Sequence, residues 1–593
     1  MRWIPAAVLL VVALLLAPPA QADRAALERY AEATWASFVA MTDEESGLPT
    51  DLLHADGSRA VQTSTTNIGA YMWSAVAAER LGIIGHGELV ARLDRTLSTL
   101  GRMERFEGQY YNWYDHQTGD KLTTWPPTGQ PLTPILSSVD NGWLATGLKI
   151  VESTVPEVSA RAGALYDSID FGFYYVADRN RILFHYVPST GTGPCCYDTL
   201  VSESRIADYI GTAKGELPRK TYYGRWRSFP DSCDWSWQET RPSGFHRSYD
   251  GVPVFEGSYR YGATRVTPSW GGSMFEALMP ALFVPEESWG PGSWRQNHPL
   301  TVDAQIDHGL VAADYGYWGF SPANVPEGGY DAWGVDALGM NPDGYPSNKD
   351  RTLVDRGFPG CPGRAPVPDP PARAYMNGVV TPHAAFLALR YRPRETMANL
   401  AALEKVPGMF GQWGFADSVN VDTEHVSGNY LSLDQGMIMA ALGNELGDDL
   451  LRKAFSTPDT RRALRPVIGV EEFNVFPRPC TITGTHGDDL LTGTAGDDVI
   501  CGLRGEDRID GRAGADALFG DVGEDSLAGG AGDDTAYGGE GDDELHGGDG
   551  DDVLSAGPGD DVVTGEAGAD HAEGGEGRDT CASDAADDPP GGC

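Results

Sequence analysis

A nine-residue pattern, Gly-x-x-Gly-x-Asp-x-apolar-x, is repeated eleven times in unbroken register over the last fifth of the chain, from Gly484 to about Cys581. Its fourth-position glycines and sixth-position aspartates recur without a gap, the aspartates running from Asp489 to Asp579. An acidic, glycine-rich linker would be disordered and would have a similar composition, but it would not keep the two residues in phase. The fixed period therefore predicts a repeat structure in which successive words stack on one another.

The word resembles the RTX nonapeptide, whose parallel β-roll takes two words per coil. In such a roll, glycine supplies positive-φ backbone in the turns, and aspartates two words apart converge on one calcium ion. The apolar eighth position points into a core too thin to hold the coil unaided, so calcium is expected to supply part of the folding free energy. The resemblance implies structural calcium ligands at Asp489, Asp498, Asp507, Asp516, Asp525, Asp534, Asp543, Asp552, Asp561 and Asp570.

Most of the negative charge of the chain lies in this segment. Residues 484–593 carry 30 acidic and 4 basic side chains, so they contribute −26 of the net charge of −41. Without an ion these carboxylates repel one another, so the segment is expected to stay open until it meets extracellular calcium. Nothing in the sequence resembles a nucleic-acid-binding motif.

The N-terminus has the pattern of a secretory signal peptide. A positive start at Arg2 is followed by an apolar run over 8–17 and by the small-x-small site Ala20-Gln21-Ala22. We expect a signal peptide over 1–22, a secreted or cell-surface bacterial protein, and no transmembrane segment in the mature chain. A retained N-terminal anchor is the alternative, and the repeat domain is a candidate for cell-surface association.

Eight cysteines fit an oxidising destination, and their spacing excludes a CxxC metal site. Proximity in sequence suggests one disulfide between Cys480 and Cys501 and another between Cys581 and Cys593. The adjacent Cys195 and Cys196 are expected to find separate partners, with Cys233 and Cys361 as the remaining pair.

Helical periodicity dominates the chain between the signal peptide and the repeats. The predicted helices cover 24–41, 67–81, 86–103, 141–151, 203–214, 273–283, 382–389, 394–403, 431–442 and 448–455. Long connections rich in glycine and aromatic residues separate them. This pattern predicts a mainly α fold, an α/α toroid, over 23–475, then a linker over 476–483, the roll over 484–581 and a tail over 582–593. In a toroid, the first turns of the inner helices meet at one end of the central cavity.

Six segments in this region carry a family resemblance: 63–69, 138–144, 202–207, 270–280, 413–418 and 430–436. Together they resemble the glucoamylase-like domain of bacterial endo-β-1,2-glucanases, which is also similar to a portion of cyclic β-1,2-glucan synthases. The resemblance covers nearly all of 30–460 and implies an (α/α)6 barrel and an inverting glycoside hydrolase. The synthases' glycosyltransferase module and membrane spans are missing. The stretches 216–261 and 341–371 look longer than the family needs and are expected to reshape the rim of the cleft.

Glycoside hydrolysis requires two carboxyl groups that flank the scissile bond. Glu203 matches the glutamate of the family's Ser-Glu-x-Arg motif and is the candidate acid, with Arg205 either orienting it or holding substrate. Asp417 follows a turn-like aromatic segment and is the candidate base. Asp140 and Glu276 are further catalytic candidates. Each of these carboxylates has a plainer alternative role as a helix cap, a dipole partner or a structural hydrogen-bond acceptor.

Aromatic and polar residues in the same motifs are candidates for sugar binding. Trp143, Trp270, Trp318 and Trp413 could stack on sugar rings, although core packing explains most aromatic residues. Asp434 and Gln435 could bind hydroxyl groups or cap a helix. His383 is expected to be a buried, hydrogen-bonded histidine. The sequence has no HExxH, Walker, GxSxG or dinucleotide motif, so no organic cofactor is predicted.

These observations favour a secreted glycoside hydrolase that cleaves internal linkages of a bacterial glucan, β-1,2-linked if the family's usual substrate applies. A polysaccharide lyase on the same toroid and a non-catalytic glycan-binding surface protein are the alternatives. Calcium is expected to be structural and confined to the repeats, so the barrel should fold and remain active without residues 480–593.

Overall fold

The computed structural model describes residues 24–229, 242–340, 378–475 and 480–582, together with Asp587 and Gly591. The predicted signal peptide, most of the tail, Cys233, Cys361, Cys593 and the stretch 341–371 lie outside the described residues. The α-helices of the barrel are Arg24–Met41, Thr65–Arg80, His86–Leu100, Ser138–Thr154, Pro156–Asp167, Arg205–Ala213, Lys220–Tyr223, Met274–Leu278, Glu286–Trp289, Trp294–Asp307, Pro382–Leu387, Pro393–Leu403, Ser432–Leu446, Leu450–Phe455 and Pro458–Gly469. None of the helices in this part of the chain is long and apolar enough to cross a membrane.

Six of these helices form an inner ring. Each packs against the next in the order Thr65–Arg80, Ser138–Thr154, Arg205–Ala213, Met274–Leu278, Pro382–Leu387 and Ser432–Leu446, and the last packs against the first. The contact from the third helix to the fourth is made by Arg205, which donates to the carbonyl oxygens of Glu276 and Ala277. Outer helices such as Arg24–Met41 and Pro156–Asp167 pack behind the ring. This arrangement confirms the predicted toroid.

The inner helices are buried over nearly all their length, which explains why their glycines matter. A Cβ on Gly69 would lie 2.4 Å from the carbonyl oxygen of Trp143, and one on Gly147 would lie 2.8 Å from the Cα of Gly69. The helices Thr65–Arg80 and Ser138–Thr154 therefore cross at a glycine contact that no larger residue permits. The side chains of Ser64 and Ser137 cap these two helices.

Strands connect the helices and pair antiparallel, and all but two of those described outside the roll have only two or three residues. Those outside the roll are Leu52–Leu53, Gln62–Ser64, Arg105–Phe106, Gln109–Tyr110, Trp113–Asp115, Thr124–Trp125, Gln130–Pro131, Leu136–Ser137, Tyr175–Val176, Arg181–Ile182, His185–Tyr186, Ser243–Tyr249, Val252–Tyr261, Thr264–Val266, Ala323–Asn324, Tyr330–Asp331, Val379–Val380, Phe410–Gly411, Gly414–Phe415, Val419–Asn420 and Tyr430–Leu431. Single 3₁₀ or π turns occupy Phe171–Tyr174, Trp270–Gly272, Pro280–Leu282, His308–Ala312 and Asp336–Leu338.

The longest of these strands form a hairpin in the stretch that was expected to reshape the cleft rim. Ser243–Tyr249 pairs with Val252–Tyr261, and the first of these strands packs against the roll strand His571–Glu576. Within 216–261, this hairpin therefore lies against the repeat domain. A role of the rest of the stretch at the cleft rim stays a prediction.

The repeats form two parallel sheets of six strands, with neighbours two words apart. One sheet contains Ile482–Thr483, Val499–Arg504, Ala517–Val522, Thr535–Glu540, Val553–Pro558 and His571–Glu576; the other contains Leu490–Thr492, Arg508–Ala513, Ser526–Ala531, Glu544–Asp549, Val562–Ala567 and Thr580–Ala582. The eighth-position side chains form the core between the sheets. Fourth-position glycines such as Gly505 have positive φ. The roll is thus confirmed, and its first strand begins at Ile482 instead of Gly484.

Two disulfides join described cysteines. Cys480 is bonded to Cys501, as predicted. Cys195 is bonded to Cys196, so the expectation of separate partners for these two residues is wrong. The peptide bond between them is cis. Cys581 is also disulfide-bonded.

Candidate active site

Polar residues gather where the inner helices begin. Asp140, Glu276, His383 and Asp434 all lie in the first turn of an inner helix, and Glu203 lies in the turn just before Arg205–Ala213. The predicted helix at 203 therefore begins two residues later. Because these helices belong to one ring, their first turns bring the five side chains to one end of the barrel.

Glu203 and Glu276 form the first part of the site. Glu276 Oε2 accepts hydrogen bonds from Ser202 Oγ at 2.8 Å and from the backbone N–H of Glu203 at 2.9 Å. Trp143 Nε1 donates to Glu203 Oε2 at 2.5 Å. Burial, reinforced by the charge of Glu276, raises the pKa of Glu203 well above its ordinary value, and burial raises the pKa of Glu276 to about 7. Glu203 is therefore able to hold a proton near neutral pH.

Arg205 has no N–H group left for a substrate. Its guanidinium makes two hydrogen bonds to Glu286 and three to the backbone carbonyls of Ser202, Glu276 and Ala277. Of its two expected roles, holding substrate is excluded, because all five donors are used in the barrel core. Its contacts instead fix the Glu203 turn against the neighbouring inner helix.

Asp417 and Asp434 form the second part of the site, on the opposite side of the ring. Asp417 is 2% exposed, and its Oδ2 accepts from the backbone N–H of Asn324 at 2.6 Å. Asp434 is its hydrogen-bonded neighbour and lies 3.2 Å from Nδ1 of His383. Burial and the Asp434 charge raise the pKa of Asp417 well above its ordinary value, while burial raises the pKa of Asp434 to about 7. Two such close carboxylates share a proton.

His383 is buried, as predicted, and its Nδ1 lies 2.7 Å from Thr381 Oγ1. Burial lowers the pKa of His383 to about 4, so the imidazole is neutral at pH 7. Together His383, Asp417 and Asp434 place one ligand-type atom each within 4.8 Å of one another.

Asp140 and Asp51 connect the two parts electrostatically. Asp140 Oδ1 accepts from Thr66 Oγ1 at 2.5 Å, and its charge acts on Glu203. Asp51, which the sequence did not identify, accepts from Asn67 Nδ2 at 2.8 Å. Burial raises the pKa of Asp51, and the charges of Asp140 and Asp417 add to this effect. The hydrogen bonds that Asp51 accepts act in the opposite direction but are outweighed. A band of carboxyl groups thus runs from Glu276 to Asp434.

Two of the four candidate tryptophans are accessible. Trp270 is half-buried and packs edge-on against Phe184. Trp413 is half-buried, packs edge-on against Tyr430, and with it lines a hollow of about 480 Å³. They lie in the motifs that flank the Glu203 and Asp417 parts of the site, where sugar rings could stack.

The other predicted sugar-binding side chains are structural. Trp143 is 0% and Trp318 1% exposed, so neither ring face can stack on a sugar. Gln435 is also buried: its Nε2 donates to the carbonyl oxygen of Phe415 at 3.0 Å and its Oε1 accepts from Ser37. These predictions are wrong because each residue points into the packing between helices, a direction the motif spacing did not reveal.

The roll offers carboxylate oxygens that fit calcium. From Asp507 to Asp579, each sixth-position Oδ1 accepts a hydrogen bond from the backbone N–H of the aspartate two words earlier, as Asp534 does from Asp516 at 2.8 Å. The Oδ2 atoms are buried without a hydrogen-bond partner at Asp507, Asp516, Asp525, Asp534, Asp543, Asp552, Asp561 and Asp579. Hard oxygen ligands that lack a protein donor are what a Ca²⁺ ion requires.

The first two words differ from the rest. Asp489 Oδ2 accepts from the backbone N–H and hydroxyl of Thr485, and Asp498 Oδ2 accepts from those of Thr494 at 2.7 and 2.8 Å. These bonds lower the pKa of Asp498, whereas burial raises the pKa of Asp543 to about 8. Threonine thus satisfies the Oδ2 atoms of the first two predicted calcium ligands.

A ring of six inner helices that presents carboxyl groups at one end, followed by a parallel roll, defines a glucanase-like glycoside hydrolase fold with RTX repeats. Three family models agree with this division. The model described as "Putative glucoamylase" matches residues 256–458, a model of unknown function (DUF3131) matches 29–172, and the RTX calcium-binding nonapeptide repeat matches segments between 483 and 588.

The chain is also similar in sequence to a bacterial glucan synthase. The chain is 24% identical over 570 residues to the cyclic β-(1,2)-glucan synthase NdvB of Rhizobium meliloti (strain 1021), a match that covers 72% of this chain and 18% of the synthase. The chain therefore spans about a fifth of that relative.

Solved structures share the fold. The endo-β-1,2-glucanase of Chitinophaga pinensis, in complex with sophorotriose and glucose, is 17% identical with a TM-score of 0.55 over 75% of this chain and 97% of that chain. A putative glucoamylase of Bacteroides caccae ATCC 43185 is 20% identical with a TM-score of 0.53 over 74% and 97%. The endo-β-1,2-glucanase of Talaromyces funiculosus, with sophorose, is 12% identical with a TM-score of 0.51 over 74% and 90%.

Proposed function

We propose that this protein is a secreted bacterial glycoside hydrolase that cleaves internal linkages of β-1,2-glucan by inversion. The observation that carries the proposal is the band of carboxyl groups across one end of the inner ring, with Glu203 on one side and Asp417 on the other. Glu203 lies in the turn just before the third inner helix, and Asp434, the partner of Asp417, lies in the sixth, so the two are half a turn of the ring apart. The relatives that act on β-1,2-glucan supply the linkage.

In this proposal Glu203 is the general acid. Its proton passes to the glycosidic oxygen as the bond to the anomeric carbon breaks, and burial keeps that proton in place near neutral pH. Trp143 orients the carboxyl group, and Glu276 and Asp140 act on its charge.

Asp417 is the general base. It takes a proton from a water molecule that attacks the anomeric carbon on the opposite face of the sugar, so the configuration inverts. The charge of Asp434 raises the pKa of Asp417, and the neutral His383 packs beside Asp434. Trp270 and Trp413 stack on flanking sugar rings, and calcium is structural in the roll.

The charge of the site favours this reading over a polysaccharide lyase. A lyase substrate carries uronate carboxylates, which a band of Glu276, Glu203, Asp140, Asp51 and Asp417 would repel. A neutral glucan suffers no such repulsion, and its hydroxyl groups can donate to these carboxyl oxygens.

The test is to replace each proposed carboxyl by its amide. Wild-type protein, Glu203→Gln, Asp417→Asn and the surface control Glu88→Gln are incubated with linear β-1,2-, β-1,3-, β-1,4- and α-1,4-glucans, and product sizes are followed by chromatography. We expect the wild type and the control to shorten only β-1,2-glucan from within the chain. Each amide variant should lose about 10³-fold or more of this activity while still binding the glucan. Wild-type protein that binds but never cleaves would instead identify a non-catalytic glycan-binding protein.

A further inference from the structure

The last helix of the barrel, Pro458–Gly469, is bonded directly to the roll. Arg465 is 6% exposed, and its guanidinium donates to the backbone carbonyl of Asp551 and to those of Asp533 at 2.9 Å and Asp534 at 3.0 Å. One turn earlier on this helix, Arg461 forms an ion pair with the carboxylate of Asp533. One face of the helix Pro458–Gly469 therefore binds two successive coils of the roll, at turns that lie in the same row.

Tyr537 of the roll adds a second contact of this kind. Its hydroxyl donates to the carbonyl oxygen of Gly469 at 2.6 Å and accepts from the backbone N–H of Gly292 at 3.1 Å. A Cβ at Gly292 would lie 2.7 Å from the Tyr537 ring, so only glycine permits this approach. The ring also stacks on Phe519 at 4.8 Å, which holds it in place from the roll side.

The interface has an apolar centre and a polar edge. Val553, which follows the calcium-facing Asp552, is part of the barrel's own hydrophobic core. At the edge, the backbone N–H of Asp250 in the barrel hairpin donates to Glu573 Oε1 of the roll at 3.3 Å. The barrel and the roll thus share packed surface as well as hydrogen bonds.

The turns that Arg465 contacts are also turns that face calcium. Asp534 and Asp552 belong to one row, and the backbone N–H of Asp534 donates to Asp552 Oδ1 at 2.7 Å. The Oδ2 atoms of both are buried without a partner, and the carbonyl oxygens used by Arg465 belong to Asp534 and to the residues just before these two aspartates. Any loosening of these turns by carboxylate repulsion would displace the same carbonyls.

We propose that calcium binding to the Asp534–Asp552 row fixes the carbonyls that Arg465 binds, so that docking of the roll, and with it the stability of the catalytic barrel, depends on calcium. The ions are then structural for the barrel as well as for the repeats. The barrel was expected to be independent of residues 480–593 because the calcium ligands lie in a separate domain, but Val553 of that domain packs in the core of the barrel. By linkage, the docked barrel also raises the calcium affinity of this row.

The sequence provides a selective reporter. All 15 tryptophans precede residue 480, so tryptophan fluorescence monitors only the barrel. Thermal unfolding of the full-length protein is followed by this signal, with calcium and with a chelator. The variants are Arg465→Met and Tyr537→Phe, which keeps the stack on Phe519. Arg462→Met is the matched control, because Arg462 lies on the same helix and pairs with Asp459 on an exposed face.

We expect calcium to raise the tryptophan-monitored Tm of the wild type and of Arg462→Met by at least about 2 °C. Arg465→Met and Tyr537→Phe should each lose most of this shift while circular dichroism still shows the roll folding with calcium. The proposal is overturned if calcium does not change the tryptophan-monitored Tm of the wild type. It is overturned as well if Tyr537→Phe and Arg465→Met keep the full calcium-dependent shift in Tm. It is also overturned if Arg462→Met loses as much as Arg465→Met. Should Arg465→Met fail to fold, Tyr537→Phe decides alone. No outcome depends on glucan hydrolysis.

Discussion

The indole N–H of Trp143 donates a hydrogen bond to Glu203 Oε2 at 2.5 Å, from a ring that is itself fully buried. This bond ties the proposed acid to the core of the inner helix Ser138–Thr154, where Trp143 packs between Trp73 and Phe283. The position of Glu203 is therefore set by packing as well as by its own turn.

Replacing Trp143 by phenylalanine tests this role. The bond favours the charged form of Glu203, so its removal should raise the pKa of Glu203 and move the alkaline limb of the kcat/KM–pH profile to higher pH. Loss of orientation should lower kcat about 10-fold, the value of one hydrogen bond to a charged group. An alkaline limb at the wild-type position, measured on the folded variant, would show that Trp143 is only a core residue.

The substitution Asp434→Asn tests whether Asp434 controls the protonation of the proposed base, Asp417. The charge of Asp434 raises the pKa of Asp417, so the amide should lower it and move the acid limb of the kcat/KM–pH profile to lower pH. The exposed Asp459→Asn serves as the control. If the acid limb does not move, Asp434 does not act on the base.

Replacing Glu286 tests whether its buried ion pair with Arg205, which fixes the turn that contains Glu203, stabilises the fold. Burial alone would raise the pKa of Glu286, but Arg205 and His298 hold it at about 2. A depressed carboxylate pKa stabilises the fold above the ordinary value of 4.5, and this stabilisation is lost as pH falls towards 2. Glu286→Gln should therefore cost about 3–5 kcal/mol at pH 7.

The same substitution should also flatten the pH dependence of stability. Denaturant unfolding followed by tryptophan fluorescence should show a smaller loss between pH 5 and 3 for the variant than for the wild type. Equal slopes in this range would mean that the Arg205–Glu286 pair does not contribute to acid stability.

Asp498→Asn and Asp534→Asn form a matched pair in the roll. Thr494 satisfies Asp498 Oδ2, whereas Asp534 Oδ2 has no donor. Calorimetric titration should show fewer calcium ions bound by Asp534→Asn and an unchanged number bound by Asp498→Asn. A loss of the same size in both variants would mean that threonine does not replace the ion in the first words.

The structural features that follow from a short repeat period in the sequence were predicted correctly. The phase of the nonapeptide determined the roll and its core, and apolar spacing located the inner helices and also the outer helix Arg24–Met41, whose two ends it predicted to the residue. The helices Pro156–Asp167, Trp294–Asp307 and Pro458–Gly469 were missed; the last two contain an internal proline, which argues against a helix when only the sequence is read.

Side-chain direction and long-range contact could not be read from spacing. Trp143 and Trp318 could not be told apart in the sequence from the accessible Trp270 and Trp413, yet their rings face the core. Asp51 follows no motif, and it reaches the site because its carbonyl accepts from the backbone N–H of Ser432 at the start of an inner helix. The contact of Arg465 with the roll joins residues 86 positions apart, and no local pattern encodes it.

The central claim is that Glu203 and Asp417 act as acid and base across the inner ring with a water molecule between them. The most direct test is proton NMR of the first products released from β-1,2-glucan, recorded before the reducing ends mutarotate. Because hydrolysis of a β-linkage by inversion gives the α-anomer, we expect the new reducing ends to appear first as the α-anomer. Neither Glu203→Gln nor Asp417→Asn should produce them at a rate comparable with that of the wild type. New ends that appear first as the β-anomer, or full activity in either variant, would contradict it.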